Sequence, residues 1–356
     1  MSGKEGQSET IFSSTGRLGP HRRQANRLYI NGAYADDPSR FIGNYQRALS
    51  GDEKLQSITR TVAKGVVSAE VLRGVIADPD LRRDLEVAVP LAEYGMNDSW
   101  LTYVSHNKPL RVSLYPTPTL IEMTSEQEEV SSRPPLERVE NVAGNGYIFT
   151  NSIKTEQLED LHALWGDTFG WSTDQLANFK QRLEAENTID ARARSVWFCG
   201  VEEDGKLVSA AMAERIKLPS RDGKKLDCVE STEWRTHEKA ERNGLMSAVV
   251  TVLTAQVVND LGHPDNLFMF AECNVANGAN VSGHKAGFQV PQREIELEGA
   301  RFTAPQVLHQ NVGINDGVSM EPGKYRDFVF MQLRPDTIDK YYNPTAVTQI
   351  LQHLTK

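Results

Sequence analysis

Between Leu226 and Leu261 an alternating stretch gives way to a polar loop and then to a long apolar segment, and this succession constrains the fold more than any other part of the chain. Leu226–Arg235 has the two-residue period of a strand. The loop THEKAERNG runs from Thr236 to Gly244, and a strongly apolar helix is expected from Leu245 to Leu261, stopped by Gly262 and Pro264. A loop that opens a helix exposes backbone N–H groups at the positive end of the helix dipole, which is a preformed site for an anion such as a pyrophosphate. Many strand–loop–helix units bind nothing, so the elements around this one decide what it means.

The chain has 356 residues, which suggests two domains rather than one. Apolar residues make up 39% and charged residues 24%, the balance of a globular protein with a sizeable core. No apolar run reaches the length of a membrane span, and Met1–Arg27 is polar without the apolar core of a secretory signal. A cytoplasmic protein with no membrane partner is therefore expected. Cys199, Cys228 and Cys273 are far apart and form no CxxC pair, which argues against disulfides and against a metal site. They read as buried small apolar side chains. The net charge of -9, without clustered Lys and Arg, disfavours nucleic acid.

Residues 1–27 are too poor in large apolar side chains to offset the entropy of ordering and read as a mobile polar tail. A small mixed α/β domain of unnamed type is expected over 28–122. Within it Leu55, Ile58, Val62 and Val66 have helical spacing, and a further helix through Val71, Leu72, Val75 and Ile76 ends at Asp78-Pro79. Leu101–Val104 and Leu110–Tyr115 look like strands. The acidic and then Pro-containing stretch 123–145 reads as a linker. From 146 to 335 the expected order is a strand at Tyr147–Ile153, helices at Glu156–Leu164 and Thr173–Leu183, and a hairpin of Val196–Val201 and Leu207–Arg215 turning at Glu203-Asp204-Gly205. The strand, loop and helix of 226–261 come next, followed by a strand at Leu267–Glu272, a helix at Asn277–Ala286 and a strand at Tyr325–Leu333. Residues 336–356 are expected to end the chain as a helix.

This order resembles the GNAT superfamily of acyl-CoA-dependent N-acyltransferases, and the resemblance covers Tyr147–Arg334. Within the superfamily the chain is most similar to the β-lysine N-acetyltransferase branch. The shared features are Glu230-Ser231-Thr232-Glu233-Trp234 with Thr236, Gly244-Leu245-Met246, Gly278-Ala279-Asn280 ahead of Gly287-Phe288, and Gln310-Asn311-Val312-Gly313-Ile314 ahead of Arg326-Asp327-Phe328. The resemblance implies an α+β fold, with a C-terminal GNAT-type mixed sheet flanked by helices behind the small N-terminal domain. Two departures stand out. Glu241 and Met246 occupy loop positions where the superfamily keeps Arg or Gln and a small residue, and Gly283 stands where many members place a tyrosine general acid.

The implied reaction moves an acetyl or other short acyl group from acetyl-CoA, or another acyl-CoA, to the amine of a small molecule such as lysine, β-lysine or a polyamine-like substrate. An alkylammonium has a pKa near about 10.4 and must lose a proton before it attacks, so a carboxylate is wanted. Strand alternation puts Cys228, Glu230, Thr232 and Trp234 on one face and Val229, Ser231, Glu233 and Arg235 on the other. Glu230 is the first candidate for the base and Glu233 the second, each weighed against a structural salt bridge to Arg215 or Arg235. The resemblance assigns the cofactor to Trp234, Arg235, Thr236, Arg242, Asn243, Gly244, Leu245, Met246 and Asn280. It assigns the amine to Phe169, Trp171, Glu272 and Asn311. His237, His284 and Cys228 fit capping or core roles better than catalysis. An acyl-CoA sensor or a protein lysine acetyltransferase are the alternatives, and the oligomeric state is open, a homodimer being one form it could take.

Overall fold

The computed structural model describes residues 12–15, 27–30, 38–49, 60–107, 134–216, 226–262, 267–275, 279–311 and 325–355. The chain divides into two compact units, one of residues 1–121, 218–226 and 291–330, the other of residues 122–217, 227–290 and 331–356. Most of the expected tail, Leu55, Ile58, the strand at Leu110–Tyr115, Gly278 and Val312-Gly313-Ile314 lie outside the described residues.

The first unit holds strands β1 (Phe12–Thr15), β2 (Arg27–Ile30), β3 (Arg60–Ser68), β4 (Leu85–Pro90) and β5 (Ser99–Asn107) in the order β1-β2-β3-β5-β4. Its helices are α1 (Pro38–Leu49), α2 (Ala69–Ala77) and α3 (Pro79–Asp84). Val62 and Val66 belong to β3 rather than to a helix. A spacing of four is even, so it keeps one face of a strand as well as one face of a helix, and the β-branched residues around it decide for the strand. Helix α2 ends where Asp78-Pro79 indicates, and the Asp78 carboxylate caps α3 by accepting from the N–H groups of Asp80 and Leu81.

The same unit includes a hairpin absent from the sequence reading, β11 (Glu294–Leu297) with β12 (Ala300–Thr303), and the strand β13 (Val307–Asn311). Ile295, Leu297 and Phe302 share one core with Val67, Leu72, Val75, Trp100 and Val104. Residues 291–330 therefore group with the N-terminal stretch, not with 146–290 as the sequence suggests, because the apolar side of this hairpin is buried there. Buried Gln306 reinforces the arrangement: its side-chain amide donates to the Ala88 carbonyl at 2.8 Å and to the Gln292 carbonyl at 2.9 Å.

The second unit opens with a helix where a linker was expected, α4 (Pro135–Gly144). Pro135 suits a first helical position, and Val139 and Val142 give the helix a buried side that composition alone does not reveal. Next come β6 (Ile148–Thr150), α5 (Leu158–Phe169), α6 (Thr173–Glu186), β7 (Val196–Glu203), β8 (Lys206–Ile216), β9 (Asp227–Thr236), α7 (Leu245–Leu261), β10 (Leu267–Asn274) and α8 (Ala279–Lys285). The strand β14 (Tyr325–Leu333) passes from the first unit into the second, and the C-terminal segment is two helices, α9 (Pro335–Tyr341) and α10 (Pro344–Leu351), with a short strand β15 (Leu354–Thr355). The break between the helices is the Asn343-Pro344 step, with Asn343 capping α10 through the Ala346 N–H.

Within this unit the sheet order is β10-β9-β8-β7-β6-β15, antiparallel from β9 through β6 and parallel at β10–β9 and β15–β6. It is a mixed sheet flanked by helices. The α5–α6 side is built on Leu161, Trp165, Leu176, Phe179, Phe198 and Met212. Helix α7 is buried along almost its whole length, which explains why its sequence lacks a polar face.

Candidate active site

Strand β9 carries the residues that the sequence singles out, and its neighbours fix their directions. Glu230 faces Glu214 across the β8 ladder and Phe270 across the β10 ladder. The parallel register between β9 and β10 ends at Ser231 and Ala271. Past it β9 continues to Thr236 and β10 to Asn274 without pairing to each other.

The separation coincides with a β-bulge. Opposite Ala210–Met212 the β8–β9 register shifts, and Glu233 takes a left-handed backbone at φ 57°. A bulge inserts one extra residue, so side chains beyond it change faces. The strict alternation expected for β9 fails for this reason. Trp234 lies on the side of Ser231, to whose Oγ its indole Nε1 donates at 3.0 Å, and its ring meets Phe288 edge-on at 6.1 Å. Glu230 and Thr232 keep the side of Glu214 and Met212. Glu233 is buried, and Glu230 is half-buried.

After Thr236, whose Oγ1 is 2.8 Å from Ser209 Oγ, a short 3-10 turn at Glu238–Ala240 leads into the exposed residues Glu241–Gly244. Arg242 and Gly244 are both left-handed, at φ 70° and φ 75°. No side chain caps α7, and the first turn is closed by Ser247 Oγ donating to the Gly244 carbonyl at 2.8 Å. A Cβ built on Gly244 would meet nothing within 4 Å, so this helix start opens outward. Asn243 Nδ2 donates to Tyr147 Oη at 3.1 Å, which ties the loop to the chain just before β6. The unusual Glu241 is accommodated: its carboxylate sits 3.6 Å from Arg235, which also faces Glu238 at 3.8 Å. Leu245 is buried and Met246 half-buried at the start of α7.

Asn280 is buried in α8, and Glu272 is the first residue of β10 beyond the last β9 pair. A Cβ at Gly283 would stand 2.9 Å from Met331 Sδ and 3.4 Å from Trp234, so Met331 and Trp234 fill the space over the residue that replaces the expected tyrosine. Phe169 and Trp171 are half-buried at the α5–α6 turn, Trp171 lying 5.6 Å from both Trp165 and Phe179. They extend an aromatic core toward the surface. Asn311 ends β13 in the first unit, paired in register with Tyr325. The other site residues of the sequence reading lie in the second unit.

Arg215 bridges Asp227, and Arg194 bridges Asp260 at 2.5 Å, with Asp260 also accepting from Trp197 Nε1 at 2.9 Å. Burial pushes the thiols of Cys199 and Cys273 up, the latter with help from the neighbouring Glu272 charge, so neither is poised as a nucleophile. His237 caps the 3-10 turn by accepting from the Lys239 N–H, and His284 Nδ1 lies 3.1 Å from the Phe288 carbonyl. Among the described residues no group of His, Cys, Asp and Glu could hold a metal ion, and no helix is long and apolar enough to cross a membrane. Glu214 was missed at the sequence level. Its place opposite Glu230 depends on the β8–β9 register, which no local motif announces.

No protein-family model matches the sequence, and no curated protein matches it. Solved structures similar to part of the chain include an N-acetyltransferase from Staphylococcus aureus Mu50, at 14% identity and TM-score 0.38 over 53% of this chain and 98% of that one. The Salmonella typhimurium protein yncA, solved with its cofactor acetyl-CoA, is similar over 53% of this chain and 94% of its own at 18% identity and TM-score 0.37. A ribosomal-protein-alanine N-acetyltransferase from Brucella melitensis is similar over 52% and 99% at 19% identity and TM-score 0.33.

Proposed function

We propose that the second unit is an acyl-CoA-dependent N-acyltransferase of GNAT type, acting on the amine of a small molecule with acetyl-CoA as the expected donor. The observation that carries this reading is the parting of β9 from β10 after Ser231 and Ala271, immediately before the outward-opening start of α7. An extended arm rich in amides can pair with backbone groups where two strands separate, as added strands do at sheet edges. A pyrophosphate at the far end of that arm suits the N–H groups of Gly244, Leu245 and Met246 at a helix start. Arg242 supplies a positive charge on the same exposed loop.

In this arrangement Glu230 takes a proton from the ammonium of the acceptor. The freed nitrogen forms a bond to the thioester carbonyl carbon, the carbon–sulfur bond breaks, and the second proton shed by the nitrogen passes to the departing CoA thiolate. Arg235, held between Glu238 and Glu241, offsets the charge of Glu241, which otherwise would oppose a phosphate. Lysine, β-lysine and polyamine-like compounds are the acceptor classes proposed, with Phe169, Trp171 and Glu272 toward the amine.

The test is calorimetric titration with CoA and acetyl-CoA, followed by thiol release in the presence of lysine, β-lysine, spermidine and a lysine-containing peptide. Binding of CoA together with turnover of a free amine is expected. Absence of CoA binding would refute the assignment. Binding without turnover of any amine would favour an acyl-CoA sensor, and turnover of the peptide alone a protein acetyltransferase.

A further inference from the structure

The antiparallel register sets Glu214 of β8 directly opposite Glu230 of β9. Residues so paired have Cβ atoms about 4.5–5.5 Å apart and share a face of the sheet, so two like charges meet there. Glu214 is engaged on its other side by α6: Arg182 Nη1 donates to Glu214 Oε1 at 2.7 Å, with side-chain exposures of 47% and 39%. Arg182 Nη2 also donates to Ser195 Oγ at 3.2 Å, and Ser195 in turn donates to both carboxylate oxygens of Glu186, at 2.5 and 2.7 Å. The guanidinium therefore has two partners near the end of β8, Glu214 and Ser195.

We infer that Glu214 and Arg182 are a pair of positioning residues that bias the ionisation of Glu230: Glu214 opposes its charged form and Arg182 limits that opposition. For a Glu230 that serves as the base under the proposed function, this coupling shifts the pH below which Glu230 is itself protonated and cannot take the proton of the acceptor. A carboxylate beside another loses its proton less readily, and a guanidinium that neutralises the neighbour partly restores it. Solvent reaches both Glu214 and Arg182, which screens the interaction without abolishing it.

Other ionisable groups surround this face among the described residues. Cys228 and Glu233 are on β9 itself, and Glu272 lies two residues beyond Phe270 on β10. Helix α5 contributes Glu159, Asp160 and His162, of which Asp160 accepts from the Leu207 N–H at 3.1 Å. Helix α7 has no ionisable side chain before Asp260, which Arg194 and Trp197 occupy. Asp227 is committed to Arg215. Glu214 and Arg182 differ from all of these in that one faces Glu230 across the ladder and the other is bonded to that facing carboxylate.

The full-length protein labelled with 13C at glutamate Cδ provides the measurement, with the Glu230 resonance assigned by its loss in Glu230→Gln. Glu214→Gln should lower the Glu230 titration midpoint, and Arg182→Met should raise it. Arg182→Lys should bring it back toward the wild-type value. Ser195→Ala, which removes the second contact of Arg182 and the hydroxyl bond to Glu186 while leaving Arg182 on Glu214, controls for general loosening of α6 and should leave the midpoint in place. The acid limb of kcat/KM should move in the same directions, changing the rate at a fixed pH on that limb by on the order of two- to fivefold. A Glu230 midpoint that stays put in both variants, or moves the same way in both, overturns the inference. A midpoint that moves as expected while the kcat/KM profile does not follow sustains the coupling and instead removes Glu230 from the role of base.

Discussion

At the residue scale, Glu230 and Glu233 occupy different surroundings. Glu230 lies in regular strand opposite Glu214, while Glu233 is buried with a left-handed backbone that makes the bulge. Replacing Glu230 with Gln should keep the fold and CoA affinity and lower kcat by about a hundredfold or more, the scale of losing a positioned base. The deficit should narrow at high pH, where free amine is abundant, and a pH series of initial rates checks both points. At Glu233 the left-handed backbone can be tested. Glu233→Val puts a β-branched residue in the left-handed region and should cost about 1–2 kcal/mol in urea unfolding, whereas Glu233→Gly should relieve that strain. The buried thiols yield a further expectation. Cys199 and Cys273 have raised folded values, so unfolding releases protons that the native state keeps. Their contribution is intact below the ordinary thiol value of 9.0 and is lost as pH climbs past it. The urea midpoint should decline from about pH 9 upward, and Cys199→Ala should flatten that decline.

At the scale of elements, the start of α7 is the part most open to test. Because a Cβ at Gly244 meets open space, Gly244→Val should disturb the φ 75° backbone rather than clash with neighbours. A β-branched residue there costs about 1–2 kcal/mol of backbone strain and stands at the helix mouth. CoA affinity measured by calorimetry should fall while the unfolding transition stays cooperative. Helix α7 and the β7–β8 hairpin were legible in the sequence because their signals are local: an unbroken apolar run closed by Gly262, and Asp204-Gly205 with both residues left-handed in the turn. The bulge was not legible. Left-handed positions are usually announced by Gly or Asn, and here a glutamate occupies one under the influence of strands distant in sequence. The same reason hid the pairing of Glu214 with Glu230, since a register is a property of two strands and of every shift between them. Pro135–Gly144 escaped notice because charged and small residues mask the buried pair Val139 and Val142.

At the scale of the whole molecule, each unit is assembled from separated stretches of chain. The first needs Ile295, Leu297 and Phe302 to complete the core around Val67, Leu72 and Trp100. A polypeptide of residues 28–122 should therefore expose apolar surface, bind a hydrophobic dye and lack a cooperative melt, and a sharp transition in that fragment would show that the 291–330 stretch is dispensable. The second unit likewise relies on its C-terminal part: buried Tyr342 of the segment after α9 donates to the Ala286 carbonyl at 2.6 Å, and β15 pairs with β6. Sequence periodicity marks elements but not membership, so the return of 291–330 to the first unit was not visible. That return has a consequence for biosynthesis. Ribosomes add about 5–20 residues per second, so the apolar face made from the first 121 residues waits roughly ten to forty seconds for its partner hairpin to be synthesised. During that interval the nascent chain carries an incomplete core, and chaperone occupancy on the ribosome should persist until residues near 330 have emerged.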